Sequence, residues 1–369
     1  MRVLEAFGEP ISYGGQESFV MNVLENMDRS GIETDLLSPY YCDNNGIKEK
    51  IRSWGGDVYA LGCSFRPGKL RNNAAAPLRD FLKEHSYDVI HIHSGSNSML
   101  AMLARLATEA GIPRIIVHSH CTGVAGMKHS VSKAITGRAL KKYPTIYCAC
   151  SREAGEWRFP RRICRKSLNV INNGIDVDVF RYNENVRNIM RSELEIDEDT
   201  ILIGCVGRLT YQKNQGFLLG VLRSLLDSCP EGKDYKLILI GDGEDRDVLE
   251  KQAVDLGLTD RVLFTGSVSN VQEYLQAMDV AVMPSRYEGL AIAVIEAQAS
   301  GLEILVSEAI PGSAAVTDGV TFLPAGDNDS WVRALLKEHR RHPEQAAQVA
   351  ANGYDIKETS STVRSLYAE

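Results

Sequence analysis

The sequence predicts an α/β protein made of two doubly wound parallel-sheet domains, and three observations carry that expectation. At 369 residues the chain exceeds what one hydrophobic core usually organises. Short apolar, β-branched runs alternate with helical periods through both halves, the pattern of a parallel sheet covered by helices on both faces. Charge is divided unevenly along the chain. Residues 1–175 hold 23 Lys and Arg against 16 Asp and Glu, whereas 176–369 hold 18 against 32. Such asymmetry fits two domains with different partners.

In the first half the strands fall at Arg2–Ala6, Glu33–Leu37, Asp57–Ala60, Val89–His93, Arg114–His118, Thr145–Cys150 and Ser167–Ile171, with helices at Gln16–Met27, Ser96–Ala110 and Lys128–Tyr143 among others. In the second half ILIGCV, KLILIG, RVLFTG, VAVMPS and EILVS read as strands, separated by amphipathic segments. The polar, turn-rich stretch 172–200 is the candidate linker. The expected domains are 1–180, 181–345 and a final helical stretch, 346–369, that could pack back on the first domain. Ligands of open α/β sheets sit at the carboxyl edges of the strands, so the two sheets are expected to face an interdomain cleft.

Composition excludes several classes. With 44% hydrophobic and 24% charged residues the chain is an ordinary globular one. It has no run near the roughly 20 apolar residues that span a bilayer, and the apolar start of MRVLEAFGEP is too short for a secretory signal. The eight cysteines (42, 63, 121, 148, 150, 164, 205 and 229) are scattered with no Cys-x-x-Cys, which implies free thiols in a reducing cytoplasm. Cys148 and Cys150 share one strand face and read as core filling.

The candidate chemistry is concentrated at strand ends. ILIGCV ends in Gly207 and Arg208, with Lys213 following before the next helix. Glycine lets backbone approach a ligand closely, and two cations beside a helix N-terminus suit a diphosphate. After VAVMPS come Glu288, Gly289 and Leu290, with Glu296 on the following helix. Glu296 has apolar neighbours, so it needs a partner, and a carboxylate can take both hydroxyls of a ribose. In the first half Gly14 and Gly15 open the first helix. Two His-x-His pairs, His91/His93 and His118/His120, put two imidazoles on one strand face. The pattern could bind a metal, but no carboxylate cluster of ligand type accompanies it, and the expected metal set is none. Asp176-Val-Asp178 and Asp197-Glu-Asp199 lie in the linker, away from any strand end, and read as chance.

These residues together resemble retaining glycosyltransferases of family four, which have the GT-B fold of two Rossmann-like domains. The resemblance runs through GGQESFVMNVLENMDR, DVIHIHS, IPRIIVHSH, VGRLTYQKN and LQAMDVAVMPSRYEGLAIAVIEAQASG. It is most similar to the branch that builds capsular polysaccharides and exopolysaccharides. The resemblance implies transfer from a nucleotide sugar, with uridine the preferred base, to a glycan or lipid-linked acceptor, without a metal or other cofactor. Arg208 and Lys213 would hold the diphosphate, with Gly207 beside them. Glu288 would contact the donor sugar, the backbone of Gly289 and Leu290 would lie near the phosphates, and Glu296 would hold the ribose. Gly14 and Gly15 would line the donor. The cleft histidine maps to His120, with His118 second and His93 a further cleft position. Ala291 and Glu303 depart from the family pattern and bear on donor identity. A nucleotide-sugar epimerase of the same architecture is the alternative; a metal-dependent hydrolase and a non-catalytic sugar-nucleotide sensor are weaker ones. The basic segment 128–166 offers a cationic face for an anionic membrane, which would place the enzyme at the inner face of the cell membrane.

Overall fold

The computed structural model describes residues 1–12, 14–66, 72–120, 127–230, 232–288 and 291–368. The chain divides into two compact units, one comprising Met1–Gly174 with Ile356–Glu369 and the other Ile175–Asp355. The divisions thus fall at 174/175 and 355/356, in place of the expected 180/181 and 345/346. The short helix Val177–Phe180 packs on helices Ile292–Ala299 and Gln345–Val349 of the second unit, which moves both boundaries.

The first unit carries seven strands: β1 (Arg2–Phe7), β2 (Glu33–Ser38), β3 (Val58–Ala60), β4 (Val89–His93), β5 (Arg114–Ser119), β6 (Ile146–Ala149) and β7 (Leu168–Val170). They pair in the order β3-β2-β1-β4-β5-β6-β7, every pair parallel. One face is covered by Leu100, Leu103 and Phe159 with their neighbours, the other by Phe19, Val20 and Leu24. Val363 and Tyr367 of helix Ile356–Ala368 belong to that second cluster, and this helix packs on helix Gly15–Asn26. Sequentially remote residues therefore complete the core of the first unit.

The second unit has six strands: β8 (Thr200–Val206), β9 (Asp234–Ile240), β10 (Val262–Gly266), β11 (Val280–Met283), β12 (Glu303–Ser307) and β13 (Val320–Leu323). Their order is β10-β9-β8-β11-β12-β13, again parallel throughout. Counted within each unit, the first six strands follow 3-2-1-4-5-6, the doubly wound order of dinucleotide-binding sheets. The direction of winding reverses between β1 and β4 in the first unit and between β8 and β11 in the second. Strand β13 was not expected from the sequence. It closes one edge of its sheet, and its four residues Val320–Leu323 are only half-buried or exposed.

The stretch 172–200 is not a bare linker. It forms helix Glu184–Glu193, which packs on helix Val271–Ala277. Its polarity has a structural use: Arg187 donates to the carbonyls of Gln276, Ala277 and Met278, and Arg191 to that of Ala277. These carbonyls lie at a helix end, where no intrahelical donor remains for them. Asp279 closes the arrangement with ion pairs to Arg187 at 2.5 Å and Arg191 at 3.1 Å. Asp176 is a helix cap, accepting from the backbone N–H groups of Asp178 and Val179.

Trp331 anchors the second unit. It is fully buried, meets Phe217 edge-on at 5.6 Å and donates its indole N–H to the Pro324 carbonyl at 3.1 Å. Trp331→Ala should lower unfolding free energy by about 3–5 kcal/mol, read from the midpoint of a urea titration. A loss under about 1 kcal/mol would contradict this packing role.

Candidate active site

At the carboxyl edge of the second sheet, the reversal between β8 and β11 leaves the position where ligands of such sheets bind. Two chain segments end there. After β8 the backbone turns at Gly207, whose φ of +151° favours glycine. A Cβ at Gly207 would meet Cε of Lys213 at 3.3 Å. Gly241, after β9, must also be small, because a Cβ there would lie 2.3 Å from the Gly207 carbonyl oxygen. These glycines let the loop fold over the strand ends and lay the lysine across them.

After β11 the chain reaches Ser285 and Glu288. Lys213 Nζ lies 2.7 Å from Glu288 Oε1, and both side chains are largely buried. Ser285 donates to the same carboxylate oxygen at 2.9 Å, and Gln212 Nε2 donates to the other at 3.4 Å. The two segments are also joined directly, by Arg286 N–H to the Gln212 carbonyl at 2.8 Å and Asn214 Nδ2 to the Pro284 carbonyl at 3.2 Å. Asn214 has a left-handed backbone (φ 59°) and introduces helix Gln215–Ser228. Gly207, Lys213 and Glu288 are thus brought together. Arg208 starts from the same loop, but its side chain is exposed and lies 3.4 Å from Glu244. Gly289 and Leu290 lie outside the described residues.

Glu296 sits on helix Ile292–Ala299, partly buried, with no hydrogen-bond partner among the described residues. Burial alone pushes its carboxyl up to about 7. A carboxyl held in this way lacks the donor that would stabilise its charge.

In the first unit, Gly14 precedes helix Gly15–Asn26, and a Cβ on Gly15 would meet nothing within 4 Å. The first turn carries Glu17, whose carboxylate accepts the Ser12 N–H at 3.1 Å.

The four strand histidines form one network at the ends of β4 and β5. His93 Nε2 lies 2.6 Å from Glu5 Oε2, and its Nδ1 lies 2.7 Å from His120 Nε2. His91 Nδ1 lies 3.0 Å from the Tyr367 hydroxyl, and its Nε2 lies 3.1 Å from His118 Nδ1. Tyr367 donates to the other oxygen of Glu5. Burial works against a charge on this carboxylate, but the facing His91 and His93 N–H groups outweigh it and hold the Glu5 carboxyl well below its usual range. Burial pushes His93 down to about 4 and His118 and His120 well below the ordinary histidine value, so these three rings are neutral. One ring nitrogen from each of His91, His93 and His118 lies within 4.8 Å of the others, a spacing compatible with a metal ion. Both nitrogens of His91 and of His93 already have hydrogen-bond partners.

Residues 186–355 match the family described as glycosyl transferases group 1, and residues 13–179 match Glycosyltransferase Family 4. The chain is 32% identical over 306 residues to the putative glycosyltransferase EpsF of Bacillus subtilis, covering 80% of this chain and 77% of that one. It belongs to the family 4 glycosyltransferases. It is also 27% identical to the Escherichia coli UDP-Gal:alpha-D-GlcNAc-diphosphoundecaprenol alpha-1,3-galactosyltransferase, over 79% of this chain and 78% of that one. In fold this glycosyltransferase is similar to Anabaena HepE, solved in complex with UDP, with a TM-score of 0.76 over 99% of each chain at 17% identity. Its two Rossmann-like units are those of the GT-B class.

The sequence singled out Lys213, Glu288, Glu296 and the histidines as candidates, but not the groups that contact them, such as Ser285, Gln212, Glu5 and Tyr367. Ser285 and Gln212 carried no signal, since such residues occur in any loop. Glu5 did carry one: it is the only charged residue between Arg2 and Phe7 in the otherwise apolar strand RVLEAF, and it is 1% exposed.

Glu296 yields a prediction with a definite sign. Its folded pKa of about 7 lies above the ordinary 4.5, so the folded state holds the proton more tightly. Stability from this group is complete below pH 4.5 and is lost as pH rises through 7. Glu296→Gln should match the parent protein at pH 4 and exceed it at pH 8 by up to about 3 kcal/mol in ligand-free urea unfolding. Parallel stability curves at the two pH values would show that the carboxyl is not strained.

Proposed function

We propose that this glycosyltransferase moves a sugar from a UDP-sugar to a glycan or lipid-linked acceptor in surface polysaccharide synthesis, with retention at the anomeric carbon and without a metal ion. The single observation that carries the reading is the placement of Lys213 and Glu288 on each other at the reversal between β8 and β11. Departure of a nucleoside diphosphate builds negative charge on its phosphates, and fixed cations stabilise that charge most where they are already oriented. Lys213 is held in place by Gly207, below it, and by Glu288. Arg208, paired only at the surface, is free to swing from Glu244 to the diphosphate. Glu288 would exchange its lysine contact in part for hydroxyls of the donor sugar, and Glu296 would take the ribose, gaining the donors it lacks. Gly14, Gly15 and His120, with His118 and His93 behind it, would face the sugar and acceptor. Support for the base and the acceptor comes from relatives: HepE was solved with UDP, and the named E. coli enzyme uses UDP-Gal and a diphosphoundecaprenol acceptor.

The acceptor class gives the basic segment a role at a membrane surface. Arg161, Arg162, Arg165 and Lys166 are exposed, as are Lys141, Lys142 and, at 74%, the apolar Ile135. Lys133, Arg161 and Arg165 line a cavity of about 330 Å³ with Cys164 and Glu156. Exposed cations and an exposed apolar residue on one basic segment suit an anionic bilayer. No helix among the described residues is long and apolar enough to cross a membrane, so contact would be peripheral.

Arg208→Ala and Lys213→Ala should each keep the fold and lower turnover by about 10²–10³-fold, read as UDP released from UDP-sugars in the presence of acceptor. Near-parental turnover in both variants would overturn the assignment. The parent protein should co-sediment with phosphatidylglycerol vesicles at low salt and be released by high salt. Absence of binding at low salt would rule out the membrane role.

A further inference from the structure

The histidine network fixes which nitrogen carries each proton. A carboxylate can only accept, so the short contact between Glu5 Oε2 and His93 Nε2 places the His93 proton on Nε2. His93 is neutral, so its Nδ1 is a bare acceptor. The facing nitrogen, His120 Nε2, must then donate across 2.7 Å. His120 is neutral as well, which leaves its Nδ1 without a proton. That atom is buried and has no hydrogen-bond partner among the described residues. A buried polar atom without a partner is costly, and it requires an explanation. Turning the ring would give up its contact with His93 Nδ1. It stacks on His118 with centroids 4.1 Å apart and lies 4.9 Å from Phe19.

The other side of Glu5 is fixed in the same sense. The Tyr367 hydroxyl donates to Glu5 Oε1, so the Tyr367 oxygen receives its contact from His91 Nδ1–H. Glu5 Oε2 also lies 3.5 Å from His91 Nδ1, a second acceptor for the same proton. Helix Ile356–Ala368 thus contributes Tyr367 to hold the Glu5 carboxylate in the orientation that His93 reads.

We propose that Glu5 is a positioning residue which, acting through His93, locks His120 in the tautomer whose bare Nδ1 accepts a hydrogen bond from a hydroxyl of the bound sugar. The inference rests on the transferase reading of the site, and it adds to it a tautomer, an orienting carboxylate and a direction for the hydrogen bond. The hydroxyl supplies the donor that Nδ1 lacks. An N–H at that position would face the hydroxyl oxygen and could serve only ligands that accept.

Glu5→Gln tests this, because the glutamine amide can keep its carbonyl toward Tyr367 and turn its NH2 toward His93. His93 would then carry its proton on Nδ1, and His120 would have to move its own to Nδ1. In 15N-histidine spectra of the full-length protein, with the His120 signals assigned by their loss in His120→Gln, the parent should show a protonated Nε2 and an unprotonated Nδ1. Glu5→Gln should invert that pattern. It should also lower kcat/KM for nucleotide-sugar turnover about 10- to 100-fold, leave the affinity for UDP alone unchanged, and remove the extra affinity that the sugar adds to UDP. A His120 protonated on Nδ1 in the parent overturns the proposal, as does a metal ion recovered in stoichiometric amount from the purified protein. So does inversion without any change in turnover or sugar affinity, or lost turnover with the tautomer unchanged. Should Glu5→Gln fail to fold, the parent spectrum alone decides the tautomer. A parent protein that shows the tautomer but neither binds nor turns over any nucleotide sugar would refute the transferase reading and leave the Glu5–His93–His120 assignment standing.

Discussion

The second unit depends on one constraint: in a parallel sheet every strand ends on the same edge, and only a reversal of winding opens a gap there. Between β8 and β11 that gap is spanned by an ion pair, Lys213 to Glu288, whose members come from chain segments about 75 residues apart. The pair needs Gly207 to let the lysine lie flat, Gly241 to let the neighbouring loop come close, and Ser285 and Gln212 to occupy the remaining carboxylate lone pairs. A largely buried lysine without its carboxylate would be strongly penalised. The pairing therefore explains how a cation is kept in place at this edge.

Glu296 and Glu288 show two ways of treating an acid near such a site. Glu288 has a full set of donors, while Glu296 has none among the described residues and keeps its proton to near neutrality. The first carboxyl has its charge met by donors within the fold, and the second does not. In the first unit Glu5 likewise has its donors, while His120 Nδ1 has no partner among the described residues.

Much of this was legible in the sequence because a parallel sheet imposes a strong pattern. Strands buried on both faces read as continuous apolar runs, as β1, β4, β5, β8, β11 and β12 do. Of the half-exposed edge strands, β3 and β7 were expected from the sequence and β13 was not. Helix Glu184–Glu193 was hidden as well: its arginines serve the carbonyl end of a neighbouring helix, and polarity that answers a backbone requirement looks like solvent exposure in one dimension. The strand-end residues Gly207, Lys213 and Glu288 were legible because glycine, cation and carboxylate each have few reasons to occur at such positions. What could not be read was the partnership between β1, β4, β5 and the last helix. Glu5 and Tyr367 are 362 positions apart, and no local pattern links them.

The first unit is interrupted in sequence, and that has a bearing on how the polypeptide matures. Val363 and Tyr367 fill the same apolar layer as Phe19 and Val20, with all of Ile175–Asp355 emerging from the ribosome in between. At translation rates of about 5–20 residues per second, the nascent seven-stranded sheet waits roughly 10–40 s with one apolar flank unsealed. The six-stranded unit, continuous in sequence, can finish during that interval. The N-terminal half of the protein is thus the last to mature, and nascent chains stalled before residue 356 would be the ones that engage chaperones.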